Sequence, residues 1–194
     1  MSCWSCGAEP VDGRFCAACQ KLQPVDPTWS FFEVLGLPRC MKQDGAALER
    51  SFRDASRHVH PDRFRAKSAI ERRLALEQTT VVNEAYQRLK DPRRRAEYLL
   101  SLEGIEIGSE EHRTDDPELL MEMMELTEAI DSAKSTETVD ELAVRLERER
   151  SAILGVLEAY FDEGTGEATE AARQLERLRY IARLQERIEG KRER

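Results

Sequence analysis

At 194 residues the chain is long enough for one ordinary domain or two small ones. Its 40% apolar and 35% charged residues, with 6% aromatics, suit small helical domains with solvated faces rather than a large sheet. A net charge of −8 argues against nucleic acid or an anionic membrane as the main partner, and no apolar run approaches the roughly 20 residues of a membrane span.

The first residues, MSCWSCGAEP, lack the basic and apolar regions of a signal peptide and the Arg/Ser-rich character of a transit peptide. The expected setting is cytoplasmic; a mature mitochondrial form trimmed of its presequence reads the same. Four of the five cysteines fall in this segment, as Cys3-x-x-Cys6 and Cys16-x-x-Cys19. Without a secretory signal reduced thiols are expected. Each pair forms a tight turn that aims two thiolates at one ion, and Gly7 stands where such a turn needs positive φ. The spacing points to Zn2+ held by Cys3, Cys6, Cys16 and Cys19, with a redox pair or an iron site as the other readings. A segment with so little core takes its order from the metal. Residues 1–24 are therefore read as a module whose removal leaves the helical parts folded. Cys40 is read as a lone loop thiol without a role.

KLQPVDP is a short linker. TWSFFEVLGLP follows as a short apolar helix closed by Gly36 and Pro38. Asp44 is the expected N-cap of a helix whose apolar positions are Leu48, Phe52, Ala55 and Val59. On it Arg50, Arg53 and Arg57 share one face, a basic handle for an acidic partner or simply a solvated face. Nucleic acid fits this stripe poorly, since no aromatics interleave it. HVHPDRFRAKS comes next. A proline disfavours helix in the residue before it, so His60, Pro61 and Asp62 form an exposed, stiffened loop. A helix is predicted from about 68 to 90, with Ile70, Leu74, Val81, Ala85 and Leu89 as its buried stripe. Pro92 stops it, and RRRAEYLLSL forms another short helix.

Residues 104–116 are polar and read as a hinge. Asp116 and Pro117 then open three helices, at roughly 117–133, 138–162 and 168–190, separated by KSTET and by a segment containing Gly164 and Gly166. No strand alternation persists, so the expected fold class is all-α. In the first of these helices Leu119, Met123, Leu126, Ile130 and Ala133 form one stripe. Leu120, Met121 and Met124 lie off it, on the side of Glu125 and Glu128. Either neighbouring helices cover them or they form a partner surface, for which methionine is suited.

FFEVLGLP, HPDRF and VVNEAYQRLKDPRRRAEYLL resemble, in order and spacing, a J-domain, the helical hairpin of co-chaperones that activate DnaK-type ATPases. LLMEMMELTEAID resembles the start of the C-terminal bundle of the HscB (Hsc20, Jac1-type) co-chaperones of iron–sulfur cluster assembly. The likeness covers about residues 29–190, and the cysteine pairs resemble the zinc-binding extension of some relatives. It implies a J-domain at 28–103, the hinge at 104–116 and a three-helix scaffold-binding bundle at 117–194, behind the zinc module at 1–24. It also implies that His60, Pro61 and Asp62, with Arg50, Arg53 and Arg57, dock on an HscA/DnaK-type chaperone. Leu120, Met121, Met124, Glu125 and Glu128, with Tyr180 on a neighbouring helix, would contact an IscU-type scaffold. Where the family continues with an acidic residue this chain has Ser132. No catalysis by the chain itself is implied, and no nucleic-acid or membrane partner. A general J-protein for unfolded clients and a metal- or redox-handling protein centred on the cysteines are the alternatives.

Overall fold

The computed structural model describes residues 2–9, 13–105 and 117–192. Among these the chain is helical, with seven α-helices, a single 3₁₀ turn and no strand; the one β-bridge pairs Phe15 with Leu22. The all-α expectation holds. No described helix is long and apolar enough to cross a membrane. The chain divides into two compact units, Met1–Arg39 with Gln43–Asp91, and Cys40–Lys42 with Pro92–Arg194. Most of the sequence-read hinge, and Asp116, lie outside the described residues.

In the first unit α1 (Phe31–Leu35) starts at a capping box. Ser30 accepts from the Glu33 amide, and the Glu33 carboxylate accepts from the Ser30 amide at 2.7 Å. Gly36, at φ 63°, ends it in the left-handed conformation that glycine adopts without strain. Asp44 caps α2 (Gly45–Val59), accepting from the Ala46 amide at 2.9 Å. Ser68 and Glu71 form a second capping box at the start of α3 (Ala69–Leu89). α1 and α2 both pack on α3. Phe52 and Tyr86 stack at 4.2 Å between centroids, tying α2 to α3.

The buried face of α3 differs from the expected stripe. Leu74, Ala85 and Leu89 are buried as expected, but Ile70 is 45% exposed and Val81 only half-buried. Glu71, Ala75, Gln78 and Val82 complete the buried face instead. At about 100° per residue Ile70 lies about 80° from Gln78, and Val81 about 60° on the same side. The face is centred on a glutamine, so an apolar pattern alone locates it off-centre.

In the second unit Pro92 opens α4 (Pro92–Leu102), where its missing N–H costs nothing. α5 (Pro117–Ser132), α6 (Thr136–Glu163) and α7 (Ala168–Arg192) follow. α6 begins earlier than expected because Ser135 caps it, accepting from the Thr138 amide at 3.2 Å, and it ends at left-handed Gly164. α7 packs against α4, α5 and α6. It buries Ala171, Ala172, Leu175, Leu178, Ile181, Leu184 and Ile188. Leu119, Met123, Leu126, Ile130 and Ala133 are all buried, as their spacing predicts. The Asp162 carboxylate accepts from the Met41 and Lys42 amides at 2.6 and 2.8 Å, which places this short segment in the second unit.

Candidate functional sites

His60, Pro61 and Asp62 do not form an irregular loop. Pro61–Phe64 is a 3₁₀ turn with Pro61 in its first position and His60 as its cap. The Asp62 amide donates to His60 Nδ1 at 3.3 Å, and the Arg63 amide to the His60 carbonyl at 3.0 Å. With Nδ1 accepting, the neutral ring carries its proton on Nε2. Arg63 reaches back to the Arg57 carbonyl at 3.1 Å, satisfying an open carbonyl at the end of α2. Phe64 is buried and anchors the turn, while the His60 and Asp62 side chains are mostly in solvent. The turn therefore fixes the order and direction of an imidazole and a carboxylate at the surface.

Arg50, Arg53 and Arg57 each pair with an acid nearby on the same segment: Asp44 at 3.8 Å, Glu49, and Asp54 at 3.5 Å. All three arginines are largely exposed. Such pairs contribute only about 0–1 kcal/mol each, so an acidic partner can replace the internal acids at little cost.

The four cysteines come together. Their Sγ atoms all lie within 4.8 Å of one another, with Cys3 to Cys19 at 3.6 Å and Cys6 to Cys16 at 3.8 Å. No described cysteine is in a disulfide. A tetrahedral ion bound at about 2.3 Å by four thiolates needs sulfur–sulfur edges of about 3.8 Å, so the residues fit a four-sulfur metal. The two turns are built alike. Gly7 donates to the Cys3 carbonyl at 3.0 Å and Gln20 to the Cys16 carbonyl at 2.8 Å. Gly7 has φ 72° and Gln20 has φ 58°, so the second turn places a residue with a Cβ where the first has glycine.

Protons are shared unevenly within the cluster. Burial opposes charge on Cys3, but the Cys6 and Ser5 amides and the Cys6 and Cys19 thiols outweigh it, and its pKa falls to about 6. At Cys19 the Lys21 amide favours the thiolate, but desolvation and the surrounding Cys6, Cys3 and Cys16 sulfurs prevail, pushing it up to about 12. Cys40 stands apart from this chemistry. Its thiol donates to the Lys42 carbonyl at 3.1 Å, and burial pushes its pKa up.

On α5, Leu120 is 43% exposed, Met121 63% and Met124 72%. They line one open groove with Glu125, Glu128 and Tyr180, so the structure brings the sequence-predicted residues together. What holds this helix is not legible in the local sequence. Arg177 bridges Glu122 at 2.8 Å and Glu149. Arg187 grips the Asp131 carboxylate through two bonds of 2.6 Å, which lowers the Asp131 pKa. Lys191 caps the end of α5 through the Ile130 and Asp131 carbonyls. All three cations come from α7, at sequence separations that local patterning does not reach. Ser132 is exposed and donates to Ala129 of its own helix at 3.3 Å.

Residues 30–98 match the DnaJ domain family, and residues 115–189 match the family described as the HSCB C-terminal oligomerisation domain. The chain is 33% identical over 190 residues to the iron–sulfur cluster co-chaperone protein HscB of Mus musculus, covering 96% of this chain and 80% of that one. It is 40% identical over 157 residues to the co-chaperone protein HscB homolog of Paraburkholderia phymatum, covering 79% of this chain and 90% of that one. The crystal structure of human co-chaperone protein HscB aligns with a TM-score of 0.89 at 32% identity, over 99% of this chain and 98% of that one. Chaperone HscB from Vibrio cholerae aligns with a TM-score of 0.75 at 35% identity, over 85% of this chain and 98% of that one.

Proposed function

The chain belongs to the HscB family of J-domain co-chaperones, and from that membership we propose that it binds an IscU-type iron–sulfur scaffold and stimulates an HscA/DnaK-type ATPase chaperone to promote cluster transfer. It acts by binding and activation, not by catalysis. The division of labour follows the sequence reading: a zinc module at 1–24, a J-domain at 28–103 and a scaffold-binding bundle at 117–194. The setting is cytoplasmic.

The observation that carries the scaffold reading is the outer face of α5. A helix that already buries a complete stripe exposes Leu120, Met121 and Met124 beside Tyr180. Apolar side chains gathered on one surface suit a partner. The acidic residues Glu125 and Glu128 at its border favour a partner face carrying positive charge. On the J-domain side, Asp62 is suited to charge-assisted pairing with an arginine of the chaperone, and the 3₁₀ turn restricts the backbone before docking. The test is single-turnover ATP hydrolysis by the chaperone alone, with this protein, and with this protein plus scaffold. The expected order is slow, faster, fastest; equal rates in the last two would overturn the scaffold reading.

Zinc is the ion we assign to Cys3, Cys6, Cys16 and Cys19. A closed four-sulfur set suits a structural ion, which would hold the two turns together. Protein purified without added metal is expected to contain one equivalent of zinc by elemental analysis. Iron in its place, or four thiols that titrate without a chelator, would defeat the assignment.

The two left-handed residues give a finer expectation. A Cβ built on Gly7 meets nothing within 4 Å, so Gly7→Ala adds backbone strain without a clash. That strain is about 1–2 kcal/mol, equivalent to a zinc affinity roughly 5- to 30-fold weaker in competition with a chromogenic chelator. Gln20→Gly removes the same kind of strain at the sister position and is expected to hold zinc at least as tightly as the parent. An unchanged Gly7→Ala affinity would show that the turn forms without the left-handed residue.

A further inference from the structure

The sequence reading treats residues 1–24 as separable, but the contacts within the first unit lead elsewhere. Gln78 sits at the centre of the buried face of α3 and is 1% exposed. Its Nε2 donates to the Gln23 carbonyl at 3.0 Å, and its Oε1 accepts from Arg14 Nη1 at 2.8 Å. The same guanidinium donates to the Val34 carbonyl in α1. Gln23 is 3% exposed and Leu22 fully buried. Both ends of a buried amide on the hairpin are thus satisfied from residues 13–23, the segment that contains Cys16 and Cys19.

That segment contains no helix and is held by turns and a few hydrogen bonds. It contains the Phe15–Leu22 bridge, a bond from the Gln23 amide to the Arg14 carbonyl at 2.8 Å, and two bonds to the Lys21 carbonyl, from the Cys16 amide at 3.0 Å and the Gln23 side chain at 2.8 Å. The first cysteine turn adds two links through Trp4, its Nε1 to the Leu22 carbonyl at 2.7 Å and its ring 5.2 Å beneath Lys21 Nζ. An ion on the four sulfurs would join both turns, and with them Arg14, Leu22 and Gln23, into one ordered piece.

We propose that the four-cysteine module is a metal-dependent brace of the J-domain hairpin, holding Arg14 and Gln23 on Gln78 and linking α1 to α3. The proposal rests on the reading of the cysteines as a metal site. Without the ion, Gln78 loses partners that a buried amide needs, and the fully buried Leu22 is exposed to water. The effect has a short route to the chaperone-docking turn. The hydroxyl of Thr79, next to Gln78, lies 3.2 Å from the carbonyl of Val59, the residue before His60.

Hydrogen exchange on the full chain, read by mass spectrometry, tests this with α7 peptides as an internal control. Three preparations are compared: the protein as purified, the protein stripped by chelator with metal loss verified by elemental analysis, and Arg14→Ala with its metal retained. Exchange in α3 peptides is expected to rise at least tenfold in the second and third, with α7 unchanged. Gln78→Leu needs no polar partner and should narrow the difference between loaded and stripped protein. If metal leaves and α3 exchange stays the same, the brace is overturned. If the purified protein never carries metal, the metal-site reading fails by itself, and Arg14→Ala decides the rest. Faster α3 exchange then supports a brace that works without an ion, and unchanged exchange overturns it.

Discussion

A His60→Gln protein is expected to fold normally, bind scaffold with parental affinity and fail to accelerate ATP hydrolysis by the chaperone. His60 has two tasks in the structure. Its Nδ1 caps the 3₁₀ turn by accepting from the Asp62 amide, which leaves Nε2–H as the donor of the neutral ring. Glutamine has a longer, more flexible side chain, so it loosens the turn and redirects the donor. The side chain is mostly exposed, and losing its cap costs about 0.5–2 kcal/mol of stability, not enough to unfold the domain. Docking suffers much more, because Asp62 must meet a cation in a fixed direction and charge-assisted bonds are steep in geometry. Single-turnover hydrolysis is the measurement, with circular dichroism and scaffold titration as controls. Stimulation at the parental level would show that this turn is not the docking element.

The second large effect is expected in the other unit. Alanine at Leu120, Met121 and Met124 together should weaken scaffold binding by about 2–4 kcal/mol, the range of a small interface hot spot. The fold should survive, since Leu119, Met123, Leu126, Ile130 and Ala133 remain and these carry the burial. Basal stimulation of the chaperone should also survive. The extra stimulation seen when scaffold is present should vanish. Calorimetric titration gives the affinity and thermal melting the stability. Unchanged affinity would place the scaffold elsewhere. A large drop in melting temperature would mean that the three side chains support the bundle.

Both of these regions are legible in the sequence for physical reasons. α5 carries two apolar stripes where burial needs one, and residue spacing alone displays the excess. His60-Pro61-Asp62 stands out as a stiffened break, although the structure makes it a 3₁₀ turn capped by its own histidine. Cysteine spacing is equally informative, because two tight turns of fixed length converge on one point. What escapes are features decided by distant partners. Gln78 reads as a surface residue until its two partners, more than fifty positions away, are known. Hence apolar periodicity places Ile70 and Val81 in the core of α3 and omits Val82. Gln20 gives no sign of a left-handed backbone, since only its likeness to the Gly7 turn reveals it. Most of the cations that fix α5 lie in α7, beyond the reach of periodicity.

The pairing of Asp131 with Arg187 has a consequence during synthesis. The partners are 56 positions apart, and translation at roughly 5–20 residues per second separates their appearance by about 3–11 s. Through that interval α5 has left the ribosome without the helix on which it chiefly packs, and its inner and outer apolar stripes both face water. The first unit also joins distant partners, Arg14 waiting 64 positions for Gln78, but its two segments are complete at Asp91. A nascent chain therefore completes the unit that carries the proposed chaperone-docking turn first. The proposed scaffold-binding surface matures later, and a translational pause within α6 would extend the period in which α5 is a target for holdases and proteases.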